Sequence, residues 1–158
     1  MDGFAFSGEA LCGRFYGGGD FTNLHRTIRR LLIIGAVMAA AFALIYGFFT
    51  PSIASFMSES ESVRHSIADL RIICILLPVA SVAAFIFDGI YIGVTRTIDM
   101  MYSTLTGMLI FFAVYSGGYL LGMPHSSMTL WLSFLLFLTA RGGVLAMRLK
   151  RVTDIIKH

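Results

Sequence analysis

An aspartate stands inside one of the most apolar stretches of this 158-residue chain, in FIFDGIYIGVTRT, residues 85–97. The sixteen residues from Ile72 to Phe87 carry no charge, and the next charge after Asp88 is Arg96. An ionised Asp at the centre of a membrane helix costs roughly 2.5–3.5 kcal/mol, so acids kept there have a job. Two jobs fit Asp88. Low dielectric disfavours the charged carboxyl, so the group could exchange a proton or a Na⁺ as access alternates between the two sides of a membrane. Alternatively it is a packing carboxyl, hydrogen-bonded to a neighbouring helix. Arg96 lies about 12 Å further along a helix axis, too far to be its direct partner.

Four other positions bear on the same chemistry. Asp2 and Glu9 are almost two turns apart and share a helix face; lining a cavity, they would attract cations, whereas at the interface Glu9 is simply solvated. Pro78 removes one helical hydrogen bond and frees the Cys74 carbonyl, as at a kink in a moving segment or in a packed one. Arg141 lies inside an apolar run close enough to its end to snorkel to the interface, or it pairs with an acid.

Other chemistries lack their residues. Cys12 and Cys74 lie in apolar segments with no Cys or His at ligand spacing, so no metal framework is expected. His25, His65, His125 and His158 fall in polar, turn or terminal stretches. Gly17-Gly18-Gly19-Asp20 is not followed by GK[ST], so it is a helix terminator rather than a phosphate loop. No nucleophile–base pair is present. The expectation is therefore a non-enzyme without a cofactor.

The elements that position these residues follow from composition. The chain is 57% hydrophobic and 13% charged, with mean hydropathy +0.81; soluble domains carry about 25% charge. The net charge of +3 comes without a basic face, which sets nucleic acid aside. Four segments suit a bilayer-spanning helix of about 20 residues: 31–50, 72–94, 104–123 and 128–147. Backbone groups in lipid must be satisfied internally, so these are helices. Polar links at 56–69, 96–103 and 123–126 divide them. If the helices alternate, Arg14, Arg26, Arg29, Arg30, Arg96, Arg148, Lys150, Arg151 and Lys157 gather on one side, against Arg64 and Arg71 on the other. Positive charge favours the cytoplasm, so the C-terminus is expected there. Residues 1–16 cover only about 24 Å and are expected to be the last part of a longer helix.

DGFAFS at 2–7 matches DGIYIG at 88–93 in pattern. Gly3-xxx-Ser7 and Gly89-xxx-Gly93 are small-xxx-small pairs of the kind that let membrane helices approach closely. Internal repeats with sites on corresponding helices are a transporter trait.

Three stretches carry a family resemblance: DGFAFSGEALCGRFYGGGD, PVASVAAFIFDGIYIGVTRTIDM and LWLSFLLFLTARGGVLAMRLKR. They resemble the C-terminal half of multidrug and toxic compound extrusion (MATE) transporters, and most closely the DinF-like branch. The resemblance implies an all-α integral membrane fold of twelve helices in two six-helix lobes. This chain would supply the end of helix 8 (1–16), helix 9 (31–50), helix 10 (72–94), helix 11 (104–123) and helix 12 (128–147). It implies export of organic cations and drugs from the cell across the inner membrane, in exchange for H⁺ or Na⁺, together with an N-terminal lobe not contained in this sequence. Asp88 sits where the NorM-like branch has a helix 10 aspartate implicated in coupling; the DinF-like branch relies more on an N-lobe aspartate. A self-contained four-helix membrane scaffold or accessory subunit, with Asp88 as assembly glue, is the alternative.

Overall fold

The computed structural model describes residues 2–57, 71–120 and 127–155. Five helices make up the described chain: α1 (Asp2–Gly17), α2 (Phe21–Met57), α3 (Arg71–Gly93), α4 (Thr97–Leu120) and α5 (Ser127–Ile155). Of the expected link at 56–69, residues 58–69 lie outside the described residues, and so does the whole of the 123–126 link. So do the side chains of Asp2, Arg64, Lys150, Arg151 and Lys157.

Two helix ends share one device. Gly19 adopts a left-handed backbone, φ 69°. Its N–H donates to the Tyr16 carbonyl at 3.2 Å, and that of Asp20 donates to the Phe15 carbonyl at 2.9 Å. This pair of bonds is a Schellman cap. At the end of α3, Thr95 takes the same conformation, φ 58°. Its N–H donates to the Ile92 carbonyl and that of Arg96 to the Tyr91 carbonyl, both at 2.9 Å. Asp20 then starts α2. Its carboxylate accepts from the Asn23 side-chain amide at 2.7 Å and the Asn23 backbone N–H at 3.1 Å, satisfying a donor that the first turn leaves open. Those bonds, the side-chain one foremost, hold the Asp20 carboxyl below its ordinary value.

α2 begins ten residues before the expected 31–50 segment and continues to Met57. The reason is periodicity. Leu24, Ile28 and Leu31 recur at helical spacing and are all buried, while Arg26, Arg29 and Arg30 face outward. α4 likewise starts at Thr97, inside the expected 96–103 link, and α5 extends past 147 to Ile155. Acidic Asp99 in the first turn of α4 suits the positive end of the helix dipole.

α3 is the centre. It packs against α1, α2 and α5, and α4 packs against α5. From Ile86 to Tyr91 every residue of α3 is buried. Ile86, Ile90, Tyr91 and Val94 join Cys12, Leu24, Ile28 and Leu145 in one apolar cluster. This core lies in the half of the bundle that holds the α1–α2 and α3–α4 turns. Contacts fix the directions. Ala5 meets Gly89 and Glu9 meets Gly93, so α1 and α3 are parallel. Gly35 meets Ile86 and Gly47 meets Ile75, so α2 is antiparallel to both. Ser103 reaches Arg141 and Asp99 reaches Arg148, so α4 and α5 are antiparallel. Arg14, Arg26, Arg29, Arg30, Arg96 and Arg148 therefore share one end of the bundle. Arg71 sits at the other, donating to the Gly47 carbonyl at 2.6 Å.

The outer surface is apolar: Ile33, Val37, Leu44, Phe48, Leu109 and Phe112 are all exposed. A surface this oily matches lipid rather than water. Phe21–Thr50, Arg71–Gly93, Thr97–Gly118 and Met128–Leu149 are each long and apolar enough to cross a membrane.

Candidate functional site

The polar chemistry of the bundle collects along one face of α5. Arg141, Leu145 and Arg148 recur at i, i+4 and i+7, so they stack on a single stripe. α3 and α4 meet that stripe with two carboxylates. Arg141 Nη2 donates to Asp88 Oδ2 on α3 at 2.7 Å. About 10 Å further along the axis, Arg148 Nη1 donates to Asp99 Oδ1 on α4 at 2.6 Å. Arg96 Nε reaches the other Asp99 oxygen at 3.4 Å, and the Arg148 guanidinium lies 5.2 Å from the centroid of the Tyr102 ring.

Two hydrogen bonds to the α5 backbone hold the stripe in register. Tyr91 Oη, on fully buried Tyr91, donates to the Leu145 carbonyl at 2.8 Å. Ser103 Oγ donates to the Arg141 carbonyl at 2.8 Å. Tyr91 lies three residues after Asp88, close to one turn, so the same side of α3 supplies both the acid and the anchor. The result is a ladder with two ionic rungs. The first is a simple pair, Asp88–Arg141. The second is a cluster, Arg96–Asp99–Arg148. Asp88 Oδ1, Arg141 Nε and Arg96 Nη1 are buried without a hydrogen-bond partner among the described residues. The first rung therefore uses one carboxylate oxygen and leaves the other open.

Asp88 is buried, and its carboxylate faces α5. Of the two placements open for Arg141, pairing with an acid is the one formed. The i+8 neighbour Arg96 is bound to Asp99 instead. Glu9 sits half-buried on α1 beside α3, and its backbone carbonyl, not its side chain, lies against Gly93. Its carboxylate makes no ion pair with a described residue. α1 carries Asp2 at its first position, but the Asp2 side chain lies outside the described residues. Pro78 is buried within a continuous α3. It lines a groove of about 460 Å³ between α2 and α3 with Phe42, Tyr46, Cys74 and Phe85. A second groove, about 450 Å³, runs between α3 and α5 past Ala83, Phe87, Leu138 and Gly142.

The small residues divide unevenly. On α3, Gly89 and Gly93 lie directly against α1. A Cβ on Gly89 would collide with the Ala5 backbone, and one on Gly93 would stand 2.7 Å from the Glu9 carbonyl oxygen and 2.9 Å from Cys12 Cβ. On α1 the expected pair, Gly3 and Ser7, does not face α3. A Cβ on Gly3 would meet nothing within 4 Å, and Ser7 is exposed, its hydroxyl donating to the Gly3 carbonyl at 2.6 Å. α1 crosses α3 through Ala5, Gly8 and Gly13. The physical reason is helix phase: residues 5, 8, 9, 12 and 13 form one stripe, and residues 3 and 7 lie off it.

The second rung escaped sequence reasoning because Asp99 falls in the expected 96–103 link and Arg148 lies just past the expected 128–147 helix. The spacing Arg141–Arg148, seven residues on one α5 face, was the available signal. Among the described residues no group of three His, Cys, Asp or Glu could hold a metal ion.

Comparison with known proteins agrees with this architecture. The MatE family model matches residues 1–116. The chain is 30% identical over 151 residues to DNA damage-inducible protein F of Escherichia coli (strain K12), covering 92% of this chain and 31% of that protein. It is 24% identical over 144 residues to Protein DETOXIFICATION 42 of Arabidopsis thaliana, covering 90% of this chain and 27% of that protein. The chain thus spans about a third of the length of the curated relatives it matches. No solved structure matches it. The four apolar helices found among the described residues make it a multi-pass membrane protein, and by the match over residues 1–116 the chain belongs to the MatE (MATE) family.

Proposed function

We propose that this chain is the C-terminal part, from the end of helix 8 through helix 12, of an inner-membrane antiporter that expels organic cations and drugs in exchange for H⁺ or Na⁺. The partner of this unit is an N-terminal lobe, and the C-terminus is cytoplasmic. The observation that carries the proposal is a part-buried ion-pair ladder inside a MATE-family helix bundle. Charges within a membrane helix are costly and are kept for function or for specific pairing.

Within that transporter, Asp88 and Arg141 act as a clamp. Transporters of this kind work by rocking one bundle against another around a fixed site, and a rocking bundle has to stay whole. The clamp fixes α3 to α5 at the depth where every residue of α3 from Ile86 to Tyr91 is buried, and the Asp99 rung fixes α4 to the same face. The cost of holding Asp88 charged in low dielectric is offset by the guanidinium 2.7 Å away. Glu9, and Asp2 on the same helix, are the acids proposed to draw cations toward the bundle. Gly89 and Gly93 keep α1 against α3 so that Glu9 stays beside it.

The test is transport by the antiporter containing this chain, reconstituted in vesicles with a fluorescent organic cation. Dye should move against its gradient when a proton or Na⁺ gradient is imposed and should stop when both are collapsed. Dye movement indifferent to both gradients would count against antiport.

A further inference from the structure

The outward face of α2 has the layout of a phospholipid-binding surface, and we infer that it holds an anionic diacyl lipid. Leu24, Ile28, Leu31 and Ala39 mark the buried side of this helix. At 3.6 residues per turn the opposite side carries Arg26 and Arg30, with Arg29 beside them, and then Ile33, Val37, Leu44 and Phe48. The three arginines are exposed, and so are the four apolar side chains: Ile33 54%, Val37 63%, Leu44 60% and Phe48 77%. One helix face therefore presents a cationic triad and then about 22 Å of aliphatic and aromatic surface. That order, charge first and hydrocarbon after, is the order of a headgroup and its acyl chains.

Charge complementarity selects the occupant. Asp20 is the only acid between Ala10 and Met57, and its carboxylate is engaged by Asn23 at the start of α2. Arg26, Arg29 and Arg30 make no ion pair with a described acid, and exposed Arg14 stands at the same end of the bundle. The span from Phe21 to Thr50 has 30 residues, about 45 Å, against about 30 Å of hydrocarbon. The surplus at the arginine end sets the triad at headgroup depth, where each arginine adds to the attraction for an anionic surface. A zwitterionic headgroup would leave three like charges within two turns uncompensated.

The experiment uses Trp fluorescence. Trp131 is the only tryptophan, so a W131F/V37W chain reports from the proposed surface. It is reconstituted into vesicles with acyl-brominated phosphatidylglycerol or acyl-brominated phosphatidylcholine, and quenching gives the relative affinity at that position. The expected preference is roughly tenfold for phosphatidylglycerol. R26Q/R29Q/R30Q in the same background should bring the two lipids to near parity, and R26K/R29K/R30K should keep the preference. Parity in the W131F/V37W chain itself overturns the inference, as does a preference that survives the glutamine triple. Absence of quenching by either lipid also overturns it, because another protein surface, the proposed N-terminal lobe or a second copy of the chain, would then cover this face.

Discussion

Removing Arg141 should be the most damaging single change to the ion-pair ladder, and removing its partner as well should restore part of the loss. In Arg141→Gln the Asp88 carboxylate keeps its place between α3 and α5 with no counter-ion. Its side chain is 11% exposed, and a short side chain cannot reach water. Breaking a buried pair costs about 3–5 kcal/mol, and the small exposure places this case near 3 kcal/mol. Asp88→Asn should cost less, about 2 kcal/mol. Arg141 is 20% exposed, its long stem can carry the charge toward the interface, and the asparagine oxygen can still accept. The sum of the singles is about 5 kcal/mol. The double variant leaves two neutral amides able to bond each other and should cost only about 1–2 kcal/mol. A coupling energy near 3 kcal/mol follows. The assay is reversible unfolding of the detergent-solubilised chain, read by circular dichroism, for parent, both singles and the double. A double that equals the sum of the singles within about 0.5 kcal/mol would refute the reasoning, since the side chains would then not act as a pair.

Three further outcomes follow from local geometry. Gly89→Ala forces a methyl into the Ala5 backbone and should cost about 1–3 kcal/mol, whereas Gly3→Ala, with open space around it, should stay within about 0.5 kcal/mol; the same unfolding assay separates them. Thr95 holds a left-handed backbone, φ 58°, that costs a β-branched residue about 1–2 kcal/mol, so Thr95→Gly should stabilise the chain by about 1 kcal/mol after the added chain entropy of glycine. The Asn23 amide resonance should titrate with Asp20 at a midpoint below about 3.9, the ordinary aspartate value. With the folded value depressed, the cap contributes above the unfolded value and is lost as pH falls through the folded one; a midpoint at or above 3.9 would contradict it.

Hydropathy and charge made the membrane helices legible. Uncharged runs of about twenty residues leave no other way to satisfy the backbone, and the alternating order assumed in sorting the basic residues is the one that the α2–α3 and α4–α5 contacts show. The helical start of α2 was less visible, because His25, Arg26, Arg29 and Arg30 mask Leu24, Ile28 and Leu31 in any averaged hydropathy. Their i, i+4, i+7 spacing was the better guide. Asp88 and Arg141 each drew attention as charges in apolar surroundings. Their pairing did not, since 53 residues separate them and only the parallel packing of α3 on α5 brings them to one depth. Gly89 and Gly93 were recognisable as contact residues. The partner stripe on α1 was not, because the repeated DG pattern sets Gly3 opposite Gly89 in sequence while helix phase turns Ala5, Gly8 and Gly13 to the interface.

The most direct test of the clamp compares efflux by Asp88→Asn with efflux by Asp88→Asn/Arg141→Gln in the antiporter proposed to contain this chain. If Asp88 serves chiefly to hold Arg141, the single variant exports dye slowly under a proton or Na⁺ gradient, and the double recovers toward the parent rate. If Asp88 itself carries the coupling ion, a folded double variant stays as inactive as the single, and the clamp account fails.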